Sequence, residues 1–328
     1  MREIMYRDAI CEALDEEMAR DERVFIMGED VGRIGGNFKT TVGLLEKYGD
    51  LRVKDTPISE AGFVGMGVGA AIVGLRPVIE LMFCDFLMIA MDQVCNQAAK
   101  ITYMSGGQTN VPMVIRNPLG GGRSSAAQHS QSLHAWVAHM PGIKVVVPST
   151  AREAKGLLKT AIRDNNPVVF FEHKMLYTVK FDDVATAEED LCIPFGKARM
   201  VSEGNDITVV TNSIMTVKAE KALNDLKKQG ISADLIDLRT IVPLDNEAII
   251  RSVKKTGKLL IVDEGHTSFG ISGEIALRIM PEVFYDLEAP IERMGTADVP
   301  LPFSPALEFP LIPSEKTIAE KIREMVNP

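Results

Sequence analysis

The sequence predicts an α/β protein of two domains, each built on a mostly parallel sheet. Three observations lead there. Runs that are apolar on both strand faces alternate with segments of helical period, as in sheets covered on both sides by helices. The alternation fades between about residues 176 and 206 into acids, a proline and turn residues, and then resumes. The length of 328 residues suits two domains, each able to bury a core without staples. The expected division is 1–176 and 206–328, joined by a linker over 177–205.

In chain order, Ala9, Ile10, Ala13, Leu14 and Met18 share one helical face with acids and arginines opposite, and Val24–Met27 reads as a short buried strand. Then come a helix from Ala61, a strand Pro77–Met82, a helix Phe86–Met104 and a strand Val111–Arg116. After a glycine-rich loop follow a strand Lys144–Val147, a helix Ala151–Arg163 and a strand Pro167–Glu172. The second half offers strands Ile207–Thr211, Ala233–Leu238 and Leu259–Asp263, with helices ending near Gln229 and covering Asn246–Lys255. Pro300, Pro302, Pro305, Pro310 and Pro313 predict an extended wrap before a last helix, Glu315–Met325.

Composition removes whole classes. Hydrophobic residues make up 46% and charged residues 25%, the balance of a soluble globular protein. A net charge of -9 offers no basic face for nucleic acid. No apolar run approaches the roughly 20 residues of a membrane span, and the first residues carry no apolar signal core. The expected compartment is the cytoplasm, or a mitochondrial matrix for a mature chain. Cys11, Cys84, Cys95 and Cys192 form no CxxC pair and read as buried thiols of a reducing compartment.

Two segments carry candidate chemistry. In Asp55–Gly67, Ser59 is a plausible N-cap and Glu60 falls in the first helical turn, whose positive end favours a carboxylate. Gly62, Gly65, Gly67 and Gly69 strip one helix of side chains, which fits close approach by another backbone or by a flat ligand; on the local pattern alone, a tightly packed helix with a first-turn glutamate is the plainer reading. In Asn117–Gln131, a flexible loop after a strand delivers His129 among small polar residues, where parallel sheets place their sites. Imidazole titrates near neutrality and can move a proton; a solvated loop histidine is the plainer alternative. His134 and His139 follow at intervals of five, off a common helical face, which argues against a metal trio. Neither Gly28–Gly36 nor Gly120–Gly122 gives GxGxxG opening a helix, and no Walker loop, nucleophile elbow or HExxH pair occurs.

Taken in series, the segments resemble the beta subunits of pyruvate, branched-chain 2-oxo acid and acetoin dehydrogenase complexes. The resemblance runs through Phe25–Asp30, Thr56–Phe63, Glu80–Phe86, Asp92–Val94, Ala126–Gln131, Pro141–Val146, Ala161–Val168 and Asp237–Asp245, nearly the whole chain in one order. It implies a thiamine-type pyrimidine-binding domain followed by a transketolase C-terminal-like domain, with active sites at interfaces of an α2β2 heterotetramer. It further implies that Glu60 hydrogen-bonds the aminopyrimidine of thiamine diphosphate, that Phe86 stacks on that ring and Ile58 lines it, and that His129 assists acyl transfer to a lipoyl arm. By the same resemblance, main-chain oxygens of Met113, Ala161, Ile162, Asp164 and Asn166 would hold potassium; Asp164–Asn166 also reads simply as a helix stop before Pro167.

Relatives with a complete site hold the diphosphate and magnesium through a G-D-G segment followed by Asn-Asn. This chain has no G-D-G, and its Asn165-Asn166 lies elsewhere, so the phosphate half and the magnesium are expected on an alpha subunit. The resemblance also implies docking of a dihydrolipoyl acyltransferase, with Glu282, Asp286 and Glu288 as acidic candidates near the tail. The resemblance implies oxidative decarboxylation of a small-molecule 2-oxo acid, with pyruvate in first place and acetoin cleavage or a branched-chain 2-oxo acid as alternatives. A non-catalytic assembly subunit is the rival from another class.

Overall fold

In the computed structural model, residues 2–184 and 190–327 are described. They form, in order, β1 (Arg2–Met5), α1 (Tyr6–Arg20), β2 (Val24–Gly28), α2 (Leu44–Tyr48), β3 (Val53–Asp55), α3 (Glu60–Ile72), β4 (Arg76–Glu80), α4 (Ala99–Met104), β5 (Val114–Leu119), α5 (His134–Ala138), β6 (Lys144–Val146), α6 (Ala151–Arg163), β7 (Val168–His173) and β8 (Lys180–Val184). There follow β9 (Arg199–Ser202), β10 (Ile207–Thr211), α7 (Ser213–Lys227), β11 (Ala233–Asp237), β12 (Thr240–Val242), α8 (Asn246–Thr256), β13 (Leu259–His266), α9 (Ile271–Val283), β14 (Glu292–Thr296), α10 (Pro305–Glu308) and α11 (Glu315–Val326). The chain divides into two units. The first is Met1–Leu119 with Trp136–Phe195; the second is Gly120–Ala135 with Gly196–Pro328.

In the first unit the strands run β6-β7-β5-β4-β2-β3, every pair parallel. β2, β5 and β7 are buried along their whole length, the mark of a sheet covered on both faces. The apolar stripe of α1 is buried as its spacing predicts, and α1 packs on α6. α6 starts where Thr150 accepts a hydrogen bond from the Glu153 N–H at 3.3 Å.

The second unit has strand order β14-β13-β10-β11-β9, parallel except for the antiparallel edge pair β11–β9. α8 begins at Asp245, whose carboxylate accepts from the Ala248 N–H at 3.1 Å. It stops at Gly257, which takes a φ of 66° and donates its N–H to Val253 O.

Three expectations need correction. The helix over 86–104 is three pieces: a tight 3₁₀ stretch Cys84–Ala90, a wide π stretch Asp92–Ala98, and α4. Buried Cys84, Leu87 and Ala90 recur every third residue, and a 3₁₀ turn aligns that spacing on one face. The linker over 177–205 carries two strands, β8 against β1 and β9 against β11; its residues 185–189 lie outside the described residues. The cysteines form no disulfide, but only Cys84 and Cys95 are buried, Cys11 is half-buried and Cys192 is exposed. No helix of the described residues is long and apolar enough to cross a membrane.

Candidate active site

Parallel pairing of β2 and β3 sets Gly28 opposite Asp55, so the segments leaving the two strands run side by side. The Asp55 carboxylate fastens the loop after β2 by accepting the Gly32 N–H at 2.6 Å, and Thr56 N–H reaches back to Gly28 O at 3.0 Å. Glu29 and Glu60, the first residues of interest on each segment, are thereby brought together. Glu60 opens α3 and is only 4% exposed. Ser59 takes the N-cap position but makes no side-chain cap bond; its hydroxyl lies where a Cβ on Gly62 would stand.

Glu29 is also buried, and its Oε1 has no hydrogen-bond partner among the described residues. Burial pushes its carboxyl above the ordinary value, and the charges of Glu60 and then Asp30 push the same way. A buried carboxyl raised in this way can hold a proton nearer neutrality than it could in water. An acceptor without a donor invites an N–H or O–H from a ligand. Beside this pair Ile58 is 82% exposed, a large apolar side chain left open, and Phe86 is half-buried on the 3₁₀ stretch that packs against α3. The Phe86 ring meets Phe83 edge-on, centroids 6.0 Å apart. This donor set fits a flat heteroaromatic ring carrying an amino group: a carboxylate for the ring, an open acceptor, and apolar walls. Of the α3 glycines, Gly67 lies against the core, where an added Cβ would meet Ile79 Cδ1 at 2.8 Å, while Gly69 faces open space. The glycine row thus serves helix–sheet packing at least at Gly67.

His129 falls in the second unit. Its loop closes with Gly120 N–H on Gln131 O at 3.0 Å, and His129 ends a short turn, Ala127–His129, half-buried. The loop and residues around Glu264, His266 and Asp298 line a cleft of about 670 Å³. His134, left unassigned by its sequence spacing, is buried with Nε2 2.8 Å from Asp263 Oδ2, and Asn212 donates to Oδ1 of the same carboxylate at 2.9 Å. Burial alone would lower His134, yet the Asp263 charge outweighs it and holds the imidazole above its ordinary value.

The residues expected around potassium lie in the first unit, four of them at the end of α6. Ile162 O and Asp164 O converge on one cationic nitrogen, Arg76 Nη1, at 2.9 and 3.0 Å. Ala161 O accepts from Asp164 N–H and Met113 O from Val168 N–H, while Asn166 binds the Asp164 carboxylate through its N–H and amide. Among the described residues no group of three or more His, Cys, Asp or Glu could hold a metal ion.

A further cluster escaped sequence reasoning. Arg116 on β5 is fully buried and forks onto Glu172 of β7 at 2.7 and 2.8 Å, with Nη1 on Glu80 of β4. Tyr177 and Thr40 hydroxyls donate to the two carboxylates at 2.8 and 3.0 Å. Glu80 lies within the expected strand Pro77–Met82 and Arg116 ends the expected Val111–Arg116, a signal available in the sequence but without a partner to name. Desolvation would lower Arg116, but the carboxylates hold it well above its ordinary value; burial pushes Glu80 up despite the arginine.

Residues 2–180 match the model of the transketolase pyrimidine-binding domain, and residues 196–318 that of the transketolase C-terminal domain. A pyruvate dehydrogenase E1 component subunit beta from Rickettsia felis is 49% identical over 98% of both chains. The mitochondrial subunit beta-1 of the same component from Arabidopsis thaliana is 49% identical over 97% of this chain and 88% of its own. A 2-oxoisovalerate dehydrogenase subunit beta from Bacillus subtilis is 46% identical over the full length of both. Among solved structures, a split-gene transketolase described as an inactive beta4 tetramer superposes with a TM-score of 0.80 at 22% identity, covering 98% of each chain. A transketolase variant from Pichia stipitis gives 0.72 at 16% identity, covering 99% of this chain and 46% of its own. At such identities the last two speak for the fold alone.

Proposed function

Since the chain belongs to the family of beta subunits of 2-oxo acid dehydrogenase E1 components, we propose that with an alpha subunit it oxidatively decarboxylates a 2-oxo acid, pyruvate in first place, and passes the acyl group to the lipoyl arm of a dihydrolipoyl acyltransferase. The observation that carries this reading is the buried Glu29–Glu60 pair at the mouth of the first unit's parallel sheet. Thiamine diphosphate, when bound, supplies a carbon acid whose conjugate base adds to the substrate carbonyl. Glu60 would hold the proton shared with the pyrimidine ring nitrogen, and Glu29, with its open Oε1, would keep that carboxylate from being a simple fixed anion. Ile58 and Phe86 would exclude water from the ring, and His129 would hold or move a proton during transfer to the lipoyl arm.

The diphosphate and magnesium are assigned to the alpha subunit, because the G-D-G pattern is absent from this chain. The working unit is then an α2β2 heterotetramer. Potassium at the end of α6 is part of the same reading. The carbonyls of Ile162 and Asp164 already accept from Arg76 Nη1, so an ion bound there would share or displace that guanidinium.

A branched-chain substrate is the second reading, favoured by the Bacillus subtilis relative, which aligns end to end at nearly the same identity as the pyruvate enzymes. The deciding experiment is reconstitution with the alpha subunit, magnesium and thiamine diphosphate. Turnover is then compared on pyruvate, branched-chain 2-oxo acids and acetoin. Pyruvate is expected to give the highest kcat/KM. A heterotetramer that binds cofactor but turns over none of the three would leave an assembly role and refute the catalytic reading.

A further inference from the structure

We propose that Glu308, on the proline-rich tail, is the positioning residue that holds the His129 loop in its working shape. The inference rests on the reading of His129 as a group acting in acyl transfer. Glu308 ends α10, is fully buried, and spends its carboxylate on the loop: Oε1 accepts the Gly122 N–H and Oε2 the Ser124 N–H, both at 2.8 Å, with Ser124 Oγ at 3.4 Å. Glu264 at the end of the second unit's sheet takes the neighbouring Gly121 N–H at 2.7 Å. Hydrogen bonds to an ionised acceptor are among the stronger ones available. The tail also packs on the loop, for a Cβ at Gly121 would meet Leu301 Cδ1 at 2.6 Å and Ile312 Cδ1 at 2.7 Å.

Such a mount is needed because the loop does not rest in a relaxed shape. Ser124 and Ala126 take φ of 53° and 62°, positive values that strain a residue with a Cβ. Residues held this way persist only when their surroundings over-determine them. Ala126 lies three residues before His129, so relaxation there would re-aim the imidazole. The proline-rich tail, helical over 305–311 where an extended wrap is expected, therefore acts as a bracket for the loop, from 184 residues away in sequence at Ser124.

Glu308→Gln tests this sharply, because the two N–H groups use different oxygens. Glutamine in either orientation keeps one acceptor and turns its NH2 against the other N–H, a donor facing a donor. In the reconstituted heterotetramer, kcat for lipoyl-dependent turnover is expected to fall about ten- to a hundredfold, the scale of a small misplacement. KM for the 2-oxo acid should stay within about threefold, since the loop is read as acting after the substrate binds. Amide hydrogen exchange over residues 120–131 should quicken. The double variant Glu308→Gln/His129→Ala should be no slower than His129→Ala alone. Full additivity of the two losses, or Glu308→Gln turnover within twofold of wild type, overturns the inference while leaving the reading of His129 intact. His129→Ala at the wild-type rate overturns both. Should the glutamine variant not assemble, Glu308→Asp, with both acceptors on a shorter arm, is judged by the same comparison.

Discussion

Replacing Glu60 by Gln probes the centre of the site with almost no change in volume. Two effects on stability oppose one another. A carboxylate at a helix N-terminus is worth about 0.3–1 kcal/mol, which the amide forfeits in part. Against that, the wild type keeps a carboxylate that is only 4% exposed next to a second buried one, and the variant is freed of that repulsion. Stability is therefore expected to stay within about 1 kcal/mol of wild type. Glu29 should respond directly. Its carboxyl is held above the ordinary value of 4.5 first by burial and then by the Glu60 charge, so in the variant it drops part of the way back and no further. The folded state favours protonated Glu29, so this group's contribution is complete below pH 4.5 and is lost as pH rises through the raised value. That loss should be smaller in the variant, which separates the two denaturation curves on the alkaline side. Glutamine cannot exchange a proton, so turnover of the reconstituted heterotetramer should fall by about 10²–10⁴, or about 3–5 kcal/mol of barrier. Selective carboxyl labelling followed by NMR reads the Glu29 titration, and steady-state kinetics read the rest. Turnover within tenfold of wild type, or a Glu29 titration that does not move, would refute the idea that the two carboxylates work as a pair.

Arg116→Met should destabilise the first unit by about 3–5 kcal/mol in chemical denaturation, because it strands two buried glutamates; a loss under 1 kcal/mol would mean the carboxylates are neutral in the fold. For His134→Gln, the stability gap to wild type should be widest below the ordinary histidine value of 6.5 and should close as pH rises through the raised one, since the imidazolium–Asp263 pair is complete only on the acid side. A gap that grows with pH would contradict that pairing. Thermal midpoints should be higher in potassium chloride than in choline chloride of equal strength; equal midpoints in wild type would remove potassium from the α6 end.

Local elements were legible wherever a few neighbouring residues decide them. α6 and β10 have the bounds expected of them, since a threonine cap with Glu153 three residues on, an Asp-Asn-Asn stop and an unbroken apolar run are complete signals in themselves. The stretch from Cys84 to Met104 was not legible as built. Its apolar residues suit a helix of 3.6 residues per turn about as well as one of three, and packing against α3 chooses between them. β8 and β9 were missed because each forms an antiparallel pair at the margin of its unit, and edge strands need no continuous apolar run.

The candidate site divides along the same line. Glu60 could be named from its own segment, as a carboxylate in a first helical turn. Glu29 could not be given a role, because its meaning lies in a register: Gly28 opposite Asp55 puts the residues that follow two parallel strands next to each other, 31 positions apart in sequence. Arg116 shows the same dependence, being charged at the end of an apolar strand and intelligible only once β4 and β7 supply Glu80 and Glu172 on either side. Glu308 is the extreme case, since nothing near it in the proline-rich tail hints at two N–H groups nearly two hundred residues earlier. In each case the sequence displays an ionisable group in an apolar setting, which is costly to bury alone. Such a group tells of a partner before it tells which one. The parallel sheet and the loop mount then name it, because they alone determine which strand ends and which backbone N–H groups come within reach.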